Sequence, residues 1–208
     1  MQRRPAIVVL AAGRGSRFHG DGHKLEQQLA PGSAADTVLA ATLRQALATQ
    51  LPVVVVTTDK LAPLAHPLVA ARDIVELPRQ DRQGRPLPIG MGLSIAAGVA
   101  ATGDADGWLV LPGDMPLVRT DTLLTVAAGL EQYPVCFAQY RGMQGHPVGF
   151  GTELFSELVA LQGDEGARRL VARYAAQPIA VDDPGVRLDL DTQDDLARMR
   201  SLYQQAQA

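Results

Sequence analysis

The stretch Ala6-Ile7-Val8-Val9-Leu10-Ala11-Ala12-Gly13-Arg14-Gly15-Ser16-Arg17-Phe18, with Lys24 shortly after it, decides the fold expected of this chain. Its apolar run, Ala6 to Ala12, is too short to span a bilayer and reads as a buried parallel strand. Gly13 and Gly15, with the small Ser16, then let the backbone turn sharply, and amides exposed in such a turn can face an anion. Arg14, Arg17 and Lys24 add the positive charge needed to hold a triphosphate, which carries about four negative charges. An ordinary Gly-rich connection with solvated arginines is the open alternative. Two better known loops are excluded: no Gly-Lys-Ser/Thr occurs, so this is not a P-loop, and Phe18 stands where a dinucleotide fingerprint needs its third glycine.

With 208 residues, 47% of them hydrophobic, the chain can bury one good core, and a single domain over 1–208 is expected. A formal net charge of −3 argues against a nucleic-acid binder working through a broad basic face. The lone Cys136 excludes an internal disulfide and reads as a buried, inert thiol in a strand. Met1-Gln2-Arg3-Arg4 before the apolar run has the outline of a signal peptide, but Arg14 and Arg17 follow at once. A soluble, cytoplasmic protein without nucleic-acid or membrane partners is therefore expected.

Beyond Lys24, a helix is expected from Asp36-Thr37 to Gln50, with Val38, Leu39, Thr42, Leu43, Ala46 and Leu47 on one face. Val53 to Thr58 reads as a central parallel strand, a short helical piece follows Lys60, and Asp73 to Leu77 is a third strand. Pro78 to Pro88, with Arg79, Asp81, Arg82 and Arg85, is expected to be an exposed loop. Ile89-Gly90-Met91-Gly92-Leu93-Ser94 opens a helix whose small residues would let a ligand approach free amides, or simply form a Gly-rich helix entry. Trp108 to Pro112 is a fourth strand ending in Gly113-Asp114-Met115-Pro116-Leu117-Val118. In open α/β sheets ligands bind beyond the carboxyl ends of strands, and a carboxylate placed there suits Mg²⁺; the alternative is that Asp114 caps the helix expected from Asp121 to Gln132.

Val135 to Tyr140 is a further strand, and His146, between Gly145 and Pro147, is expected in extended backbone, where it would bind a phosphate or pterin or else bond a neighbouring carbonyl. Thr152 to Leu161 reads as a helix, and Gln162 to Leu170 starts another that carries Arg168 and Arg169. Val186 to Thr192 reads as a short strand with Asp189 and Asp191 on one side, and Thr192 or Asp191 would cap the last helix, Gln193 to about Gln205. Alternating strands and helices predict an α/β fold, a Rossmann-like doubly wound, mostly parallel sheet with helices on both faces.

Leu10-Ala11-Ala12-Gly13-Arg14-Gly15-Ser16-Arg17 with Lys24 resembles the signature of the MobA-like nucleotidyltransferases, and Gly113 to Val118 resembles that family's metal-binding motif. Gln144-Gly145-His146-Pro147-Val148-Gly149-Phe150 and Gly163-Asp164-Glu165-Gly166-Ala167-Arg168 resemble the family's molybdenum cofactor cytidylyltransferase branch. The resemblance implies a nucleotide-diphospho-sugar transferase type of fold. It also implies Mg²⁺-dependent transfer of CMP from CTP to molybdopterin cofactor with release of pyrophosphate, and a molybdoenzyme or its chaperone as recipient. Catalytic roles would fall to Arg17, Lys24 and Asp114. Nucleotide binding would fall to Leu10, Ala11, Ala12, Gly13, Arg14, Gly15, Ser16, Gly92 and Ser94, and acceptor binding to His146 and Arg168.

In the same resemblance the element at Asp189 and Asp191 closes the metal site opposite Asp114, with Asp189 favoured as the ligand and Asp191 as the cap. Cytidylyl-transferring relatives carry Leu-Ala-Ala-Gly where guanylyl-transferring ones carry Leu-Ala-Gly-Gly, so Ala12 points to CTP. Two other readings stay open: a guanylyl or sugar-phosphate type of transferase, and a non-catalytic nucleotide sensor. Asp104-Ala105-Asp106 imitates a glycosyltransferase metal motif but precedes its strand.

Overall fold

A computed structural model describes residues 4–30, 32, 36–80, 83–85 and 87–207. Seven strands, β1 (Ala6–Leu10), β2 (Val53–Thr57), β3 (Ile74–Glu76), β4 (Trp108–Pro112), β5 (Val135–Tyr140), β6 (Met143–Phe150) and β7 (Gln177–Ala180), form one sheet in the order β3-β2-β1-β4-β6-β5-β7. Only β6 runs against the others; it returns from β5 in a hairpin and wedges between β4 and β5. The helices are α1 (Val38–Ala48), α2 (Ala62–Ala65), α3 (Met91–Ala101), α4 (Thr120–Gly129), α5 (Phe155–Val159), α6 (Arg168–Arg173) and α7 (Gln193–Gln207).

Strand alternation in β1 explains the two layers. Ile7, Val9 and Ala11 join a core with Leu39 and Leu43 of α1, Leu123 and Val126 of α4, and Met199 of α7. Ala6, Val8 and Ala12 face the opposite core, built with Ile95 and Val99 of α3, Leu158 of α5 and Leu170 of α6. The first strand is therefore buried on both faces, as its unbroken apolar run requires.

The doubly wound, mostly parallel sheet agrees with the sequence reading, and the differences are local. β7 was not anticipated, because Pro178 and the polar Gln177 hide it. It pairs with β5 alone, at the sheet's edge, where a residue without an amide hydrogen is tolerated. The strand expected from Val186 to Thr192 does not exist. Pro184–Arg187 is a 3-10 turn, and its Gly185 amide donates to the buried Asp183 carboxylate at 2.9 Å. The Leu190 amide donates instead to the Asp114 carbonyl, 3.2 Å away, which pins 188–192 across the end of β4.

Thr192 caps α7: its hydroxyl accepts from the Asp195 amide at 3.2 Å, and the Asp195 carboxylate accepts from the Thr192 amide at 2.8 Å. The expectation that Asp191 serves as the cap is therefore corrected. Asp121 does not begin α4, which starts at Thr120. The Arg119 amide donates to Asp183 and the Thr120 amide to Gln45, so remote side chains replace a local cap. Within the loop expected from Pro78 to Pro88, residues Asp81, Arg82 and Pro86 lie outside the described residues.

The joint between α3 and the sheet depends on Gly98. A Cβ there would stand 2.3 Å from Val8 Cγ1 and 2.9 Å from Val56 Cγ2, both on stiff β-branched side chains in central strands. Gly98→Ala is expected to lower stability by about 1–3 kcal/mol, overpacking outweighing the better helix propensity of alanine. Urea unfolding checks this, and an unchanged or higher midpoint would contradict the packing described.

Candidate functional site

The carboxyl ends of β1 and β4 lie side by side, and the chain leaves β1 toward β2 on one flank while β4 occupies the other. A cleft of about 1010 Å³ opens there. This is the position where an open parallel sheet leaves room for a ligand. The two strand ends are held close: the Gly113 amide donates to the Leu10 carbonyl at 2.8 Å, and the Thr42 hydroxyl donates to the Gly113 carbonyl at 2.9 Å.

One wall is the loop after β1. Gly13, Arg14, Ser16 and Arg17 are exposed, and among the described residues the amides of Gly13 to Ser16 donate to no protein acceptor. His23 fastens this loop. Its Nδ1 accepts from the Leu25 amide at 3.2 Å, so Nε2 carries the proton and donates to the Gly13 carbonyl at 2.9 Å. The Glu26 carboxylate accepts from the His23 amide at 2.6 Å, which completes a capping box on the 3-10 turn Lys24–Glu26. Burial pushes the imidazole of His23 below its ordinary range, against the raising effects of the Gly13 carbonyl and Glu26, and so favours the neutral ring these two bonds require.

That turn carries Lys24 into the floor of the cleft. Its Nζ lies 2.5 Å from Asp114 Oδ2, 2.8 Å from the Leu190 carbonyl and 3.2 Å from Asp191 Oδ1. Burial alone would lower the lysine pKa, but the charges and hydrogen bonds of Asp114 and then Asp191 outweigh it and hold it above its usual value. Arg17, exposed at the rim, pairs with Asp191 Oδ2 at 2.6 Å. Asp189 lines the same cleft. Partial desolvation, followed by the charges of Asp114 and Asp191, raises its carboxyl above the ordinary carboxylate range.

Among the described residues no group of three or more His, Cys, Asp or Glu side chains converges tightly enough to hold a metal ion by itself. The donor set nevertheless fits a hard divalent cation. Asp114, Asp189 and Asp191 offer only oxygens, and the negative charge of Asp114 and Asp191 bears on Asp189, which a cation sharing ligands with phosphate would relieve.

Gln144, Gly145 and His146 of β6, with Asp164, Arg168 and Arg187, also line the cleft. The buried Nδ1 of His146 has no hydrogen-bond partner among the described residues. Desolvation lowers this histidine's pKa, while the charges of Asp114 and Asp189 oppose the shift.

The cleft thus gathers Leu10, Ala12, Gly13, Arg14, Gly15, Ser16, Arg17, Lys24, Ser94, Asp114, His146, Arg168, Asp189 and Asp191. Ala11 and Gly92 do not line it. Ala11 faces the α1 core, and its amide donates to the Val56 carbonyl at 2.7 Å. The Gly92 amide donates to the Gly163 carbonyl at 2.9 Å, and a Cβ there would stand 2.6 Å from the Gln162 carbonyl oxygen, which explains the glycine by packing. Ser94 reaches the cleft, but its hydroxyl donates to the Gly90 carbonyl at 3.2 Å.

His23 and Arg187 were not anticipated. His23 could have been flagged by its place beside Lys24, whereas Arg187 was hidden by reading its 3-10 turn as a strand. Asp104-Ala105-Asp106 lies at the amino end of β4, away from the cleft, and the Asp106 amide donates to the Arg4 carbonyl. Among the described residues no helix is long and apolar enough to cross a membrane.

Comparison with known proteins matches residues 7–179 to the MobA-like NTP transferase domain profile. The chain is 30% identical over 178 residues to the bifunctional protein GlmU of Mycobacterium bovis, covering 83% of this chain and 33% of that protein. It therefore spans about a third of that relative's length. The crystal structure of Rv0371c from Mycobacterium tuberculosis H37Rv superposes with a TM-score of 0.79 at 28% identity, covering 97% of this chain and 99% of that one. The same protein is also known in complex with manganese, at TM-score 0.71, 26% identity, and coverage of 97% of this chain and 100% of that one. Molybdopterin-guanine dinucleotide biosynthesis protein A from Archaeoglobus fulgidus shares the fold at TM-score 0.69 and 17% identity, covering 97% of this chain and 99% of that one.

The raised carboxyl of Asp189 makes stability depend on pH. Its carboxyl is raised in the fold, so the stability it contributes is fullest at low pH and is lost as pH rises through the interval just above the ordinary carboxylate range. In protein stripped of divalent cations, Asp189→Asn is expected to raise the thermal midpoint slightly at neutral pH and to flatten that part of the pH–stability profile. The gain is small because the group is solvent-screened. A clear drop in midpoint would show that the aspartate is structural.

Proposed function

The chain belongs to the MobA-like NTP transferase domain family, whose profile spans most of its length, and from that premise we propose that it transfers CMP from CTP to molybdopterin cofactor and releases pyrophosphate. The observation that carries the reading is the Lys24 ammonium seated between Asp114 and Asp191 beneath an exposed, amide-rich loop. Cations, free amides and oxygen ligands for a metal meet there within one cleft, and together they suit a metal-chelated triphosphate.

In this reading the amides of Gly13 to Ser16 fix the triphosphate, with Arg14 beside them, and Arg17 and Lys24 stabilise charge on the departing pyrophosphate. Asp114 and Asp189 would hold Mg²⁺, with Asp191 beside them; the manganese complex of Rv0371c supports a divalent ion here. When bound, the ion supplies charge neutralisation at the phosphates. His146, Arg168 and Arg187, which line the same cleft, orient an anionic acceptor, whose phosphate oxygen attacks the α-phosphorus in line as the bond from the α-phosphorus to the bridging oxygen breaks and pyrophosphate leaves. The phosphate is already ionised, so the site needs no general base and works by positioning and electrostatics.

Ala12 bears on the choice of base. It is 4% exposed and packs in the α3 core, yet it borders the cleft, so its methyl narrows the space against the end of β1. A methyl there disfavours a two-ring base by crowding. The proposal includes one catalytic unit over 1–208, a cytoplasmic setting, and a molybdoenzyme or its chaperone as recipient of the product.

Purified protein given molybdopterin cofactor, Mg²⁺ and each triphosphate separately should release pyrophosphate fastest with CTP. GTP consumed as fast would overturn the base assignment. A sugar phosphate turned over in place of molybdopterin would overturn the acceptor, and binding without turnover across an acceptor panel would favour a nucleotide sensor. Asp114→Asn should melt lower than wild type, since Lys24 loses its nearest carboxylate, and, compared below that midpoint, should lose most turnover, because loss of a metal ligand removes roughly several kcal/mol of transition-state stabilisation. Near wild-type rates at saturating Mg²⁺ would remove Asp114 from the metal site.

A further inference from the structure

We propose that Lys24 is a resident counter-ion that keeps free divalent cation off the carboxylates and moves to the triphosphate only when metal and nucleotide arrive together. The inference rests on the reading of the cleft as a metal–nucleotide site and adds an order to its filling.

An ammonium has three donors, and those of Lys24 are all used, on Asp114, the Leu190 carbonyl and Asp191. No donor remains for a phosphate, so the head group must leave at least one acceptor before it can touch a ligand. The side chain is only 15% exposed, and its partners Asp114 and Asp191 are 12% and 21% exposed, so water compensates a broken pair only in part; Asp191 would keep Arg17, whereas Asp114 would be left without a cation. Removing one member of such a buried pair strands the other charge, which is the costly event.

A free divalent cation meets that obstacle. It satisfies the carboxylates but leaves the ammonium stranded in the same pocket, one positive charge against another. A metal arriving on a triphosphate brings its own anion, and then both sides exchange partners: Asp114 passes from ammonium to metal, and Lys24 passes from carboxylate to phosphate. The backbone need not move. Lys24 sits on a turn closed by the His23–Glu26 capping box, its flexible four-carbon stem borders the open cleft, and the exposed loop at Gly13 to Arg17 forms the adjoining wall. Metal and nucleotide then bind with a coupling larger than chelation alone supplies, and linkage makes that coupling reciprocal.

The test measures Mn²⁺ binding without turnover, by the loss of the free-ion electron paramagnetic resonance signal, for wild type, Lys24→Met and Lys24→Arg. In the absence of nucleotide, Lys24→Met should bind Mn²⁺ tighter than wild type on the order of tenfold or more, since affinity for a hard cation follows the net charge of the site. Lys24→Arg, which keeps the charge, should stay as weak as wild type. Because a CTP analogue uncleavable between its α- and β-phosphates chelates Mn²⁺ by itself, the metal retained with the protein in equilibrium dialysis is read in its presence; wild type should then retain Mn²⁺ well and its difference from Lys24→Met should shrink.

The methionine variant should also melt lower than wild type in chelator and regain more from Mn²⁺ than wild type does, which keeps the test readable where the stripped variant is poorly folded. Lys24→Met that binds Mn²⁺ alone no tighter than wild type, while both bind it with the nucleotide, would overturn the counter-ion role and leave the proposed function standing. Wild type that binds no Mn²⁺ even with the nucleotide would overturn both.

Discussion

The ammonium of Lys24 joins three parts of the chain that are far apart in sequence: the turn after the glycine loop, the end of β4, and the segment leading into α7. Each part is brought to that point by a different constraint. The capping box sets the turn, the pairing of β1 with β4 sets Asp114, and the Leu190 amide bonded to the Asp114 carbonyl sets Asp191. A buried ion pair of this kind is seldom a net source of stability, because the desolvation of its charges offsets their attraction. Its presence at the mouth of a parallel sheet is better explained by use than by folding.

The fold was legible wherever burial imposed a period. β1, β2 and β4 announce themselves as unbroken apolar runs because helices cover both faces of the sheet's centre, and α1 announces itself through Thr37, whose hydroxyl accepts from the Ala40 amide, and the apolar face behind it. Where the sheet thins toward its edge the pattern fails. β7 alternates between half-buried and exposed positions and contains Pro178, so nothing local marks it as a strand.

The candidate site was legible where a motif sits at a strand end, as at Gly13 to Arg17 and at Asp114. The placement of Asp189 and Asp191 was anticipated for the wrong reason. They share the cleft because one long-range backbone hydrogen bond pins their segment, not because a strand alternates, and no sequence period encodes such a bond. His23 escaped for a related reason: its value lies in holding the Gly13 carbonyl from ten residues away, which becomes visible only once the loop has folded back. Gly92 reads like a ligand-binding residue in sequence, yet it is small because the backbone at Gln162 crosses it closely. A glycine in a motif can thus report a neighbouring loop rather than a ligand.

A crystal structure with Mn²⁺ and an uncleavable CTP analogue tests most directly what meets at the Lys24–Asp114 pair. The expected result is an anomalous peak bound by Asp114 and Asp189, the triphosphate on the amides of Gly13 to Ser16, and the Lys24 ammonium shifted from Asp114 onto a phosphate oxygen. A triphosphate bound elsewhere, or one bound with the Lys24–Asp114 contact intact and no metal beside it, would contradict it.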